Sequence, residues 1–567
     1  MAALTVPLAF SLFGNETTDP LALLQAVQTN AQQLILFCQV GRISIPAQYQ
    51  PLFSYLEPRI VQVAAPKKDG VFHPKVWVLR FVSTDSSADS PILYRLLVAS
   101  RNLTFDRSWD TLLCLDGELT TRKIGFGQNR PLSDFIAALP NLAQHPIPAN
   151  SPIVTIADEL RRVMFDVPHG FDPNSLEFVP IGHNGRKRWP FPRQHNNRLL
   201  VISPFLAKNA LKQLAPTNGR QATLITRLVE VQKLSAKDLA AYSRIYVLDG
   251  SAEMEGEAEP DHALTGLHAK LFLIEHRWDA TLWTGSANAT NAAFSNNVEF
   301  LVKLSGKKSR IGIDKLLPSD IQSGLGKLLM PYTPADAELE DDVQLKLETQ
   351  LETIRRQLAE IAWQAHVEPY SEQEWTLTLS GDNITLPKGT VTEIRPISLG
   401  DGYIRTLSAA TCNWLQVSFE ALTSFFAFTL TAQEGKSKAR LHFVLNVPLD
   451  GMPDDRQDRL IRSLLTDQNA VLRYLRLLLA DTPLALLSAE GWQTSMQVAA
   501  GERRGVLNSA ELFESLVRAL AKQPERLPAI ARVIDSLRDT PARLPEELLT
   551  IWEPIWQAYI ELHEGDA

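Results

Sequence analysis

The sequence predicts an α/β protein made of two pseudo-twofold-related α/β/α sandwich halves, followed by an antiparallel β domain and a C-terminal helical region. Three observations carry this prediction. Short apolar, β-branched runs alternate with helix-like pieces over residues 1–333, as in sheets covered by helices. The same order of segments occurs twice there, so the region reads as a duplication. Beyond residue 333 the pattern changes to a polar helix, then alternating strands, then leucine-rich helical periods.

The first half spans residues 1–150. It opens with an apolar N-terminal stretch read as a buried strand, then a helix-like segment, LALLQAVQ, and the strand-like runs LILFCQV and RIVQVAA. It then delivers VFHPKVWVLRF and YRLLVASRNLT. A basic linker loop rich in Pro, Gly and Asn is expected over residues 151–197. The second half, residues 198–333, repeats the order with LLVISPF, KNALKQL, TLITRLV, RIYVLDG, GLHAKLFLIE and TLWTGSANAT. A helical connector (334–372), a β-rich domain (373–452) and a helical domain (453–567) follow.

Composition narrows the function classes. With 567 residues the chain is long enough for several cores, and a net charge of −8 argues against a protein coated with basic surface. Local basic patches are compatible with that value. The three cysteines, Cys38, Cys114 and Cys412, lie far apart in apolar surroundings, which points to neither a disulfide framework nor a cysteine zinc site and fits a reducing cytoplasm. The N-terminal apolar stretch lacks a basic leader, and no later run approaches membrane-spanning length, so a soluble protein without a membrane partner is expected.

The chemistry-bearing residues come in two matching sets. The first is His73-Pro74-Lys75, then Ser100-Arg101-Asn102, then Trp109-Asp110; the second is His268-Ala269-Lys270, then Ser286-Ala287-Asn288, then Asn297-Val298-Glu299. From His to Asn is 29 residues in the first set and 20 in the second, so loop length differs while order is kept. Residues two apart on extended backbone share a face, which puts His with Lys and Ser with Asn. Two such sets brought together would surround one spot with two imidazoles, two ammoniums and two amides. A neutral imidazole can attack phosphorus while a protonated one gives its proton to the leaving oxygen. Lys and Asn can donate to the non-bridging oxygens as charge develops. Lysine is a poor metal ligand, so neither a metal nor another cofactor is expected.

In these motifs the chain resembles the phospholipase D superfamily, whose signature is His-x-Lys followed by an acidic position and then Gly-Ser-x-Asn, usually present twice. The second copy, GLHAKLFLIE with GSANATNAAFSNNVEF, matches closely; the first, FHPKVWVLRF with SRNLT, is looser and is similar to the tyrosyl-DNA phosphodiesterase branch. The resemblance implies a phospholipase D type of fold over residues 1–333, with His73 as the nucleophile that becomes phosphohistidine and His268 as general acid. The reverse assignment stays open. It also implies catalytic roles for Lys75, Asn102, Lys270 and Asn288, and supporting roles for Ser100, Asp110, Glu275, Ser286 and Glu299. The family's acidic position is Glu275 in the second copy but Arg80 in the first, leaving Asp110 or Glu299 to orient an imidazole.

A phosphodiesterase acting on nucleic acid, as a nuclease or DNA-end enzyme with a place in bacterial genome defence, is therefore expected. Arg186, Lys187, Arg188 and Arg193, interleaved with Trp189, suggest a backbone-tracking and base-stacking segment, a solvated linker being the plain alternative. His183 and His195 are read as surface residues. A phospholipase or phosphatidyltransferase acting on lipid head groups, and a non-catalytic nucleic-acid-binding subunit, are the rival readings. Residues 334–567 carry no assignable motif and suit a protein partner or a homo-oligomer.

Overall fold

The computed structural model describes residues 20–46, 48–83, 90–102, 108–147, 151–192, 197–216, 221–248, 266–317, 324–334, 342–382, 384–407, 410–479, 509–538 and 544–563. The expected N-terminal strand, Arg193 and His195 lie outside them. The described chain forms two units: one holds Phe37–Val40 and Val61–Leu345, the other the residues up to Leu36, Gly41–Ile60 and those from Lys346 onward.

Strands β1 (Leu36–Gln39), β2 (Ile60–Val63), β3 (Val76–Phe81), β4 (Leu93–Ala99), β5 (Leu112–Leu119) and β6 (Val163–Phe165) belong to the first half. They form a four-stranded antiparallel sheet in the order β3-β4-β5-β6 and a separate β1–β2 pair. Pro66, Gly70 and Pro74 interrupt the chain between β2 and β3. Proline cannot donate to a ladder, which favours a break at that point.

Strands β7 (Glu177–Ile181), β8 (Arg198–Ile202), β9 (Ala222–Thr226), β10 (Tyr242–Leu248), β11 (Leu271–His276), β12 (Asp279–Gly285), β13 (Glu299–Lys307) and β14 (Leu329–Pro331) make one mixed sheet, ordered β14-β10-β9-β8-β11-β12-β13-β7. Alternation along its central strands supplies two cores. Leu199, Val201, Leu224, Phe272 and Ile274 are buried on one face, and Leu200, Ile202, Ile225, Leu271 and Leu273 on the other. Coverage of both faces explains why these strands read as continuous apolar runs.

The segment expected to be a linker loop contains regular structure. Its helix Ile153–Leu160 packs on the helix Arg130–Ala138, β6 completes the first sheet and β7 edges the second. The periodic residues were masked in the sequence by their shortness and by the Pro- and Gly-rich stretch after them. Phe135 meets Phe300 at 5.1 Å between ring centroids and Phe165 meets Phe178 at 5.7 Å, joining the two halves.

In the other unit, the helix Pro20–Ala31 corrects the expected first boundary. Its Leu21 and Leu24 share a core with Leu475, Leu477 and Ile530 of the C-terminal helices, and Gln25 Nε2 donates to Leu477 O at 2.6 Å. Leu21–Val27 are all buried, a pattern that only encirclement by other helices satisfies. The β domain starts earlier than expected, with β15 (Gln364–Pro369). Strand β16 (Glu374–Ser380) joins it with β19 (Thr411–Ser418) and β22 (Leu449–Asp450), while β17 (Thr390–Pro396), β18 (Arg405–Thr406), β20 (Phe425–Glu434) and β21 (Ser437–Asn446) form a second four-stranded sheet.

Candidate active site

The two His-x-Lys motifs occupy the extended lead-ins to β3 and β11, the first strands of each half to carry the repeat. Each lysine folds back on its own motif: Lys75 Nζ donates to His73 O at 2.8 Å and Lys270 Nζ to His268 O at 2.9 Å. Each serine does the same job in its own strand pair. Ser100 Oγ accepts from Thr111 N at 2.8 Å, and Ser286 Oγ accepts from Phe300 N at 2.9 Å.

Two short parallel bridges exchange between the halves and bring the sets together. Phe72 bridges Val298, with His73 N donating to Val298 O at 2.9 Å; Trp109 bridges Leu267, with His268 N donating to Trp109 O at 2.7 Å. Each histidine is thereby held by the segment that ends the opposite repeat, at Glu299 or Asp110. Lys270 Nζ also reaches Ser100 O at 2.8 Å, and the Thr111 and Thr284 hydroxyls meet at 3.0 Å.

Glu299 is the centre of the arrangement. Fully buried, it receives His73 Nδ1 at 2.9 Å and the Ser286 hydroxyl at 2.5 Å on Oε2, and Asn297 Nδ2 at 3.0 Å on Oε1. Burial alone would raise its pKa, but the adjoining His73, Lys75 and Ser286 outweigh this and hold it below the ordinary value. Burial lowers the His73 pKa, with Glu299 opposing and Lys75 adding to the fall. Burial likewise lowers Lys75 to about 7 and Lys270 to about 8, against the pull of Glu299. With Nδ1–H directed at Glu299, His73 presents the lone pair of Nε2.

Residues 197–316 match the family model described as "Cardiolipin synthase, PLD-like domain". The chain carries a phospholipase D-like domain. No curated protein matches it in sequence. Among solved structures, a mutant of yeast tyrosyl-DNA phosphodiesterase is similar at 11% identity and a TM-score of 0.30, covering 49% of this chain and 82% of that one.

Within this phospholipase D-like domain the acidic position of the motif is placed away from the site. Glu275 is five residues along β11 from Lys270, roughly 17 Å of extended backbone. There it accepts from Arg198 Nη1 at 3.1 Å and from Ile313 N at 2.7 Å. In the first half Arg80 donates to Glu159 at 2.7 and 3.0 Å, and the Tyr94 hydroxyl binds the same carboxylate. The motif position thus carries a structural ion pair in both halves with the charges exchanged, which corrects the supporting role expected for Glu275.

The remaining expected residues divide. Asp110 pairs with Arg101 at 3.0 Å and acts on Lys270 through its charge. Asn288 is half-buried, and among the described residues its Oδ1 has no donor, whereas Asn102 is exposed. Trp189 packs on Phe191 and Phe294 at 5.3 and 5.0 Å, and Arg188 pairs with Glu177 at 3.2 Å. Trp189 is therefore engaged in aromatic packing, while Arg188 is held in an ion pair that leaves its side chain 40% exposed. Arg186 and Lys187 are exposed. A Cβ on the neighbouring Gly185 would lie 3.9 Å from Pro66 Cβ, in the loop that leads to His73.

Asn297, part of the second set, bridges Glu299 to Val71 N. Two participants escaped the sequence reading: Gln39 Oε1 accepts from Phe72 N at 2.6 Å, and Arg227 Nε donates to Leu267 O at 2.8 Å. Arg227 follows β9, where the carboxyl ends of parallel strands commonly present ligand-binding residues, and that signal was legible. Gln39 carried none. Among the described residues no group of three His, Cys, Asp or Glu side chains is placed to hold a metal, and no helix is long and apolar enough to cross a membrane.

Proposed function

We propose that this chain is a metal-independent phosphodiesterase acting on nucleic acid through a phosphohistidine intermediate. The observation that carries the reading is the His73–Glu299 pair, with Lys75 and Lys270 close enough for Glu299 to act on both. Glu299 holds the Nδ1–H, so His73 Nε2 attacks phosphorus. The leaving oxygen departs with a proton from His268. Water, deprotonated by His268, then displaces His73 and returns the imidazole. Lys75, Lys270 and Asn288 bind the non-bridging oxygens, where an ammonium in a buried site counts most.

Nucleic acid is favoured as substrate by Arg186 and Lys187, exposed on a loop beside the one leading to His73. A location in the cytoplasm is an expectation from the scattered cysteines, and a part in genome defence one from resemblance alone.

The test uses a p-nitrophenyl phosphodiester and labelled single- and double-stranded DNA, all in EDTA. Nitrophenolate needs no general acid to leave, so His268→Ala should release a burst near one equivalent and keep an acid-labile adduct on His73, while His73→Ala gives none. An adduct on His268 would reverse the roles. Cleavage that requires divalent metal or survives both substitutions sinks the mechanism, and DNA left intact beside choline or glycerol release from liposomes sinks the substrate.

A further inference from the structure

We propose that Phe205 and Arg227 form a stacking platform for the nucleobase next to the scissile phosphodiester. The proposal rests on the nucleic-acid reading above and assigns the surface that receives a base.

Both residues leave the carboxyl ends of neighbouring parallel strands, β8 and β9. Phe205 is 42% exposed, and the Arg227 guanidinium carbon sits 5.1 Å from its ring centroid. A single exposed phenylalanine needs no explanation in itself. This one is set apart by how its backbone is held and by what holds it. Ser203 Oγ donates to Phe205 O at 2.7 Å and accepts from Ala289 N at 2.9 Å. Leu206 N donates to Glu230 Oε2 at 3.1 Å, Leu206 bridges Ala289, and Ala207 N donates to Ala289 O at 2.9 Å.

Ala289 directly follows Asn288, so the Phe205 loop is bonded to the catalytic strand end. Arg227 is tied at the other side, because its Nε bonds the carbonyl of Leu267, the residue before His268. Its charge also acts on Lys270, one of the causes that lower that ammonium's pKa. An aromatic ring stacked with a guanidinium is thus fastened to both motifs of the second half within one or two residues of His268 and Asn288. Aromatic faces and Arg planes both stack on bases irrespective of base identity, so the platform suits single-stranded or unpaired nucleotides.

The alternative for an exposed basic and aromatic surface is the recess lined by Trp278, Lys307, Lys308 and Lys315 at the far end of β11. There Lys308 covers Trp278 and Lys307 is paired with Asp279.

The experiment compares binding of labelled oligothymidylate with an abasic oligodeoxyribose phosphate of equal length, using the full chain carrying His73→Ala to prevent turnover. Phe205→Leu should reduce the preference for the base-bearing strand on the order of tenfold, from the usual strength of base–aromatic stacking, with abasic binding unmoved. Phe205→Trp should restore it, and unchanged thermal melting in both variants excludes misfolding. A preference that persists in Phe205→Leu overturns the platform alone. No preference in the parent protein likewise overturns the platform alone, whereas no binding of either strand overturns the nucleic-acid reading and the platform with it.

Discussion

His73 Nδ1 and Glu299 Oε2 meet at 2.9 Å although 226 residues separate them, so each half supplies one member of the pair. A buried carboxylate that orients an imidazole and supports its charge is worth far more than its single hydrogen bond. Glu299→Gln keeps an acceptor for Nδ1–H but removes the charge, and kcat/KM should fall by about 10- to 100-fold. Because Glu299 raises the His73 pKa, its loss deepens the depression that burial causes, and the acid limb of the pH–rate profile should move to lower pH. A profile that moves to higher pH contradicts the pairing.

The lysines make a second, pH-dependent prediction. Burial brings Lys75 to about 7 and Lys270 to about 8, so the free protein loses these ammoniums as pH rises through that range, and kcat/KM should fall. A phosphodiester anion restores them, so binding at pH 8 should take up protons, seen as a heat that varies with buffer ionisation enthalpy. For stability the sign is opposite. With a folded pKa near 7 and an ordinary value of 10.5, the unfolded chain binds more protons over that window, and unfolding free energy gains from rising pH. Lys75→Met should remove that gain in pH-dependent melting.

Glu275 should behave as a structural residue. Glu275→Gln leaves Arg198 and the Ile313 amide with a weaker partner and should cost about 1–3 kcal/mol of stability, measured by denaturant unfolding. Turnover per folded molecule should not change. A rate loss without a stability loss would return Glu275 to the site.

Arg186 and Lys187 should contribute charge without specificity. Replacing both by Ala should weaken single-strand binding uniformly across sequences and flatten the log–log salt dependence by up to about 1.4, from about 0.7 per phosphate contact. An unchanged slope would show that these cations face away from the bound strand.

What the sequence determined by itself was local and repeated. Histidine two residues from lysine, serine two from asparagine, and their recurrence in order identified the motifs, and the alternating apolar runs identified the strands that carry them. Partnership was decided only by tertiary structure, because it depends on which segments the bridges at Phe72–Val298 and Trp109–Leu267 bring side by side. Tertiary structure likewise selects Glu299 for His73, pairs Arg198 with Glu275 and Arg80 with Glu159, and packs the half-buried Trp189 against Phe294. It also sends the helix Pro20–Ala31 to the C-terminal core, since an apolar helix records how much surface it must bury but not which neighbour will cover it.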